Sequence, residues 1–422
     1  MQAEPPFIGG SRHARTVSLL AAAAALSLAG CSLTGAESAT PTASPMPTSA
    51  SPSPAASTRA APSPEPTTPE PTETSSSPES EPPATPDPTA SAGQGDGGTA
   101  TLVFTGEVLM HQSLIDRALN NGGGRTFDFR PMFTAIKPII AGADLAVCHL
   151  ELPVIPKGEG MEPRYATPPQ VIDALKDSGF DRCSTASNHA LDRGARGSDA
   201  TLAAFTRTGL TQAGTSGGPG GLEPTVLDVA GFKVTHLSYT EVGGLPIPAD
   251  QPWRMATAQR ERIVADVKKA RALGAEYVVV SMHDADELNY TPTNNQTRWD
   301  NWLLEKADVD LVVGTGSHVP EPEAAVTDGF ALYGLGNLIN WRPNARDSVI
   351  GRVTLSRDSD GKVVARKPEL IPTFTVEALG YQVLDARNYK GSQLDPDVRA
   401  ALRESYQRVK PYVGQFVPDS TT

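Results

Sequence analysis

The stretch Ser184 to Gly197, S-T-A-S-N-H-A-L-D-R-G-A-R-G, sets an asparagine beside a histidine, with an aspartate three residues further on. Asn188 and His189 can offer an amide oxygen and an imidazole nitrogen to one point, which suits a divalent ion such as Mn, Zn or Fe. The same letters also write a capped turn, with Asn or Ser as N-cap and Asp192 in the first helical turn. Recurrence favours the chemical reading. Glu107, His149 with Glu151, His283 and His318 also follow apolar runs, and four of the chain's seven histidines belong to this set. Side chains that close successive strands of an α/β sheet gather at one rim, where such sheets keep their ligands.

The elements that must position these residues begin at Thr99, where alternating apolar strands and amphipathic helices start. Strands are expected at Thr101–Thr105, Asp144–Leu150, Phe232–Tyr239, Tyr277–Met282 and Asp310–Val313. Helices are expected around Met132–Ile140, Pro169–Lys176, Asp199–Thr208, Gln259–Leu273 and Asn295–Lys306. Apolar strands separated by helices are the mark of βαβ units buried on both faces. Later the pattern becomes strand against strand, Phe330–Tyr333, Val349–Ser356 and Lys362–Phe374, with Asp360-Gly361 as a hairpin turn and a terminal helix at Asp397–Val409. Trp299 and Trp302 stand at the i, i+3 spacing of a core-facing helix. Ser317 lacks the strand-elbow glycine pattern of a nucleophile.

The first hundred residues are of another kind. Arg12, His13 and Arg15 precede the apolar run Val17–Leu28, which has the layout of an export signal and ends Leu28-Ala29-Gly30-Cys31. That ending resembles a bacterial lipobox, with lipid attachment at Cys31. Fifteen of the 38 prolines fall between Pro41 and Pro88, in a Ser/Thr/Pro-rich stretch too poor in large apolar residues to fold. Of the net charge of −12, the part before Thr99 carries −6, from three arginines and nine acids, which leaves −6 for the folded part. No basic run is present, and this excludes nucleic acid as the expected partner. Cys148 and Cys183 can pair in an oxidising exterior, but both lie in buried strands, and free, packed thiols are the expected state.

The blocks G-E-V-L-M, D-L-A-V-C-H-L-E, N-H-A-L-D-R-G-A-R-G, V-V-S-M-H-D-A-D-E, D-L-V-V-G-T-G-S-H-V-P-E-P-E and Y-G-L-G-N follow one another in the order of the CapA family, which the chain resembles over Thr101–Asn340. The resemblance implies a four-layer αββα sandwich of the calcineurin-like metallophosphoesterase type, with one or two divalent metal sites. Together with the strand-end pattern it makes Asn188, His189, His283 and His318 the candidate metal ligands and Glu107, Glu151 and Glu287 the candidate catalytic carboxylates; His149, which stands where the family has asparagine, is either an additional ligand or a packed core residue. Three departures stand out. Glu107 takes the place of an aspartate, moving the carboxylate outward by roughly 1.5 Å. Gly316 occupies a histidine position and has no side chain to ligate with. His283-Asp284-Ala285-Asp286-Glu287 keeps only the two ends of its motif.

The expected organisation is a lipoprotein signal over 1–31, a disordered tether over 32–98, the CapA-like domain over 99–380, and a helical extension packed on it over 381–422. The expected function is poly-γ-glutamate capsule or related envelope-polymer synthesis, by a metal-dependent hydrolase of phosphoester or γ-glutamyl bonds. The alternative is a non-catalytic polymer-handling or assembly subunit with an eroded metal site. The expected partners are the cytoplasmic membrane, reached through the lipid on its extracellular face, and envelope polymer or membrane synthase subunits.

Overall fold

A computed structural model of the chain describes residues 98–160 and 165–412. The export signal, Cys31 and the tether lie outside the described residues. The first half runs β1 (Ala100–Val108), α1 (Gln112–Asn121), α2 (Arg130–Phe133), α3 (Lys137–Ala141), β2 (Leu145–Leu150), α4 (Gln170–Asp177), β3 (Arg182–Ser184), α5 (Gly194–Thr208) and β4 (Thr211–Ala213). The second half runs β5 (Val226–Val229), β6 (Phe232–Thr240), α6 (Arg260–Ala272), β7 (Tyr277–His283), α7 (Asn294–Lys306), β8 (Leu311–Thr315), β9 (Glu323–Val326) and β10 (Gly329–Leu332). The chain then returns to the first sheet through β11 (Asn337–Ile339), β12 (Asp347–Arg357), β13 (Val363–Ala365), β14 (Glu369–Val376) and β15 (Gln382–Asp385), followed by α8 (Pro396–Val409).

Two sheets result. The nine-stranded one has the order β15-β14-β12-β1-β2-β3-β4, with β11 on β1 and β13 on β12, and the six-stranded one has the order β5-β6-β7-β8-β10-β9. Strand alternation assigns each side chain to a layer. Leu102, Phe104, Leu145 and Val147 of the first sheet share an apolar core with Val234, Tyr277, Val279 and Val313 of the second, so the two sheets pack face to face. The alternate residues Val103, Ala146, Cys148 and Leu150 meet α1 to α5 on one outer face. Val278, Val280 and Val312 meet α6 and α7 on the other, where Trp299 is buried and Trp302 packs beside it. The layers are therefore αββα, as expected.

Local chemistry accounts for the departures from the expected elements. The helix expected over Met132–Ile140 is two short pieces, because Pro138 lacks an N–H and clashes with the preceding turn, so it starts a new helix. Pro368 likewise divides the strand expected over Lys362–Phe374 into β13 and β14, both paired with β12. β15 lies beyond residue 380 and forms the sheet edge beside β14, so the segment read as a helical extension also supplies a strand. Within that segment α8 buries Val398 and Leu402 against Phe374 and Leu384.

Cys148 and Cys183 are not free thiols. The parallel register of β2 and β3 sets them opposite each other with Cα atoms 4.4 Å apart, and they are joined as a disulfide. Both do lie in buried strands, but which strands pair, and in what register, is a tertiary outcome.

Candidate functional site

The apolar layer between the sheets turns polar toward the carboxyl ends of the strands. His149 follows Leu145 and Val147 on the inner face of β2; His283 follows Tyr277 and Val279 on β7; Thr315 follows Leu311 and Val313 on β8. Glu107 reaches this face because the register between β1 and β2 shifts between Phe104 and Glu107. Gly106 permits that shift, since a Cβ there would stand 1.6 Å from the carbonyl oxygen of Gly336 where β1 meets the approach to β11. Glu107 then pairs in register with His149 on one side and Asn337 on the other.

The loop carrying Asn188 and His189 is tied to the end of β2. Ser187 Oγ donates to the Glu151 carbonyl at 2.8 Å, and Ala186, Ala190 and Leu191 pack on Met255. The turn carrying His318 runs through positive φ at Gly316 (+109°), which a glycine takes freely, and at His318 (+59°), a region side-chain-bearing residues rarely adopt. The Gly316 N–H donates to Glu107 Oε1, so this turn is bound to the end of β1.

Hydrogen bonds fix the tautomers of the histidines. His189 Nδ1 is 2.7 Å from Asp192 Oδ2, and His318 Nδ1 is 3.0 Å from Asn337 Oδ1. His149 Nδ1 is 2.8 Å from Ser184 Oγ, whose own proton goes to the Cys148 carbonyl. Each of these three rings donates through Nδ1 and keeps its acceptor electrons on Nε2, the arrangement that partners impose on metal-binding histidines. His283 differs. Its Nε2 donates to Asn188 Oδ1 at 3.1 Å while Nδ1 accepts from Thr315 Oγ1 at 3.0 Å, so His283 and Asn188 satisfy each other.

The carboxylates are the unusual feature. Glu107 and Glu151 are 0% and 1% exposed, and Glu107 Oε2, both Glu151 carboxylate oxygens and His149 Nε2 have no hydrogen-bond partner among the described residues. Burial raises the Glu107 carboxyl above its ordinary range and lifts Glu151 to about 7, against the lowering effect of His318 on both. Burial also depresses His149 to about 3. In His318 burial pulls down, but Glu151 and Glu107 outweigh it and hold the ring above its usual value. His189 behaves likewise, with burial outweighed by Asp192 and Glu151.

This polar tier opens into a cavity of about 290 Å³ lined by Asn188, His189, Glu287 and His318 together with His111, Tyr165 and Arg342. Glu287 stands exposed at the mouth. His111 sits edge-on to Tyr165 and Trp341, and Tyr165 edge-on to His189. The site-residue expectations therefore converge: Asn188, His189, His318 and Glu287 on the cavity wall, and Glu107, His149, Glu151 and His283 buried among the strand ends. His111, Tyr165 and Arg342 are additions that the sequence reading misses. His111 closes β1 as the other histidines close theirs and bears the same signature, whereas nothing in the sequence marks Tyr165 or Arg342.

The donor chemistry suits a divalent cation, with three unpartnered carboxylate oxygens from Glu107 and Glu151 and three imidazoles whose Nε2 is the acceptor. Among the described residues, however, no group of three or more His, Cys, Asp or Glu side chains is already closed around one point as a bound metal would require.

Fold and site together define an αββα sandwich with a polar tier at the carboxyl ends of its strands. The chain belongs to the family "Bacterial capsule synthesis protein PGA_cap", which it matches over residues 101–342. It is 25% identical over 269 residues to the PGA biosynthesis protein CapA of Bacillus subtilis (strain 168), covering 61% of this chain and 68% of that one. It is 23% identical over 250 residues to the capsule biosynthesis protein CapA of Bacillus anthracis, covering 57% and 59%. Among solved structures it is similar to the calcineurin-like phosphoesterase YfkN from Bacillus subtilis, with TM-score 0.44, 12% identity and coverage of 74% and 97%. It is also similar to a 5'-nucleotidase precursor from Thermus thermophilus, with TM-score 0.39, 16% identity and coverage of 74% and 59%.

Proposed function

We propose that this chain acts in the synthesis of a poly-γ-glutamate capsule or related envelope polymer, as a metal-dependent hydrolase of phosphoester or γ-glutamyl bonds. Its family membership and the names of its Bacillus relatives support the polymer assignment. One observation carries the hydrolytic part: four acceptor atoms of Glu107, His149 and Glu151 are buried without partners beside an open cavity. Leaving such groups unpaired costs about 1–3 kcal/mol each, and more if charged, so an occupant is expected.

Glu107, Glu151, His189 and His318 would hold the ion, with His149 Nε2 in reserve. Asn188 and His283 join only by giving up their mutual hydrogen bond. When bound, a divalent cation supplies a Lewis acid that lowers the pKa of a bound water. The chain's own residues do the rest. Asp192 and Asn337 orient His189 and His318. Arg342 forms no ion pair among the described residues and offers a free guanidinium to a phosphate or carboxylate. Glu287, exposed at the mouth, is positioned to give a proton to a leaving group or take one from water.

In this reading Cys31 carries a lipid on the extracellular face of the cytoplasmic membrane, and residues 32–98 tether the domain toward the polymer or its synthase. No helix among the described residues is long and apolar enough to cross a membrane.

The absence of a side chain at Gly316 and of a preformed ligand cluster among the described residues favours a second reading, a polymer-handling subunit without turnover. Elemental analysis of the purified full chain, with hydrolysis assays on a generic phosphodiester and a γ-glutamyl peptide, separates the two. Stoichiometric metal with turnover lost in His189→Ala supports the hydrolase; polymer binding without metal or turnover supports the subunit.

A further inference from the structure

Away from the strand-end site, a second polar feature lies between the two sheets. Arg182 is only 7% exposed, and strand alternation turns it, like Ser184 and unlike Cys183, toward the facing sheet. Its hydrogen bonds are three, all to neutral acceptors and all long. Nε donates to His236 Nδ1 at 3.2 Å, Nη1 to Thr211 Oγ1 at 3.4 Å, and Nη2 to the His236 carbonyl at 3.5 Å. No carboxylate pairs with it among the described residues. His236 supplies no negative charge either: it accepts from Arg182 at Nδ1, so its proton sits on Nε2, 2.9 Å from Ser281 Oγ.

A buried guanidinium without a counter-charge is costly. Desolvation of an ion opposes burial strongly unless an opposite charge offsets it, and here burial pulls Arg182 down to about 10. The residue nevertheless borders open space, a cavity of about 100 Å³ whose wall also includes Gln212, Gly214, His236 and Ser238. The one carboxylate on that wall, Glu223, is engaged by Lys269. The planar fork of an arginine matches two oxygens of a phosphate or carboxylate, and the cavity has room for a group of that size.

We propose that Arg182 and this cavity form a binding site for a small tetrahedral oxyanion of the phosphate class, separate from the strand-end pocket. The anion completes the ion pair that the protein lacks and fastens β3 of one sheet to β6 of the other through the Arg182–His236 bond. The site does not depend on the hydrolase reading, because none of its residues belongs to the strand-end pocket.

Thermal unfolding of the full chain is followed in inorganic phosphate and in sodium chloride at matched ionic strength, for wild type, Arg182→Met and His189→Ala. The expected result is a saturable rise in Tm with phosphate in wild type and His189→Ala, absent in Arg182→Met. An equal rise in Arg182→Met, a rise lost in His189→Ala, or no rise in wild type overturns the proposal. Should Arg182→Met fail to fold, wild-type crystals soaked in tungstate decide: heavy-atom density within hydrogen-bonding distance of the Arg182 guanidinium supports the site, and none there overturns it.

Discussion

The imidazole rings of His149 and His283 lie face to face, with centroids 5.2 Å apart and planes inclined by 17°. One belongs to β2 of the nine-stranded sheet and the other to β7 of the six-stranded sheet, so the contact joins the two sheets at their site-bearing ends. Burial keeps both rings uncharged, His149 at about 3 and His283 well below its ordinary value, so nothing repels across the stack. His149→Ala removes the ring, the Ser184 hydrogen bond and buried volume together. It is expected to lower stability by about 2–4 kcal/mol, measured as a shift in the urea midpoint at unchanged slope.

Asp192 acts on the site through His189. Asp192→Asn keeps the shape of the side chain but weakens its hold on the Nδ1 proton. Divalent-metal affinity of the full chain, measured by titration calorimetry, should fall about 10–100-fold, with little change in Tm for the metal-free protein.

Arg342 is exposed on the cavity wall and unpaired among the described residues. Arg342→Ala should leave stability within about 0.5 kcal/mol. It should weaken binding of a γ-glutamyl dipeptide or a phosphomonoester by about 10-fold or more, because a hydrogen bond to a charged group is worth about 1.5–3 kcal/mol. Equal affinity in the variant would remove Arg342 from substrate recognition.

Glu321 is 2% exposed, has one oxygen unpartnered among the described residues, and accepts from Gln296 Nε2 at 2.8 Å with the other. Burial raises its carboxyl to about 7 from an ordinary 4.5. The folded protein therefore binds this proton more tightly than the unfolded chain. The stability it contributes is full below pH 4.5 and is lost as pH rises through 7, about 3.5 kcal/mol in all. Glu321→Gln should flatten that part of the pH–stability curve and raise stability at pH 8.

The Cys148–Cys183 disulfide closes a sequence separation of 35 residues and is almost fully buried. Replacing both cysteines with alanine should cost about 3–4 kcal/mol by the loop-closure argument. Reductant alone should leave the folded protein oxidised, whereas reductant in urea should reduce it.

Much of this is readable from residue order. Strands ending in His149, His283 and Glu107 announce themselves because an apolar run closed by a polar residue is a local pattern, and α6 and α7 do so by their period. What stays hidden depends on contacts between distant segments. The register shift that turns Glu107 inward needs β11, 230 residues later, and its only local sign is Gly106. The disulfide needs the pairing of β2 with β3. Arg182 looks like an ordinary strand-flanking arginine until β6 brings His236 against it. Tyr165 and Arg342 belong to loops, where no periodicity constrains the side chain.

Glu107, Glu151, His189 and His318 sharing one divalent cation is the point on which the proposed chemistry rests. Anomalous diffraction from crystals of the full chain grown with manganese tests it directly. A single strong peak is expected within bonding distance of the Glu107 and Glu151 carboxylates and the His189 and His318 Nε2. Fully ordered side chains with no peak among them at saturating manganese would contradict it.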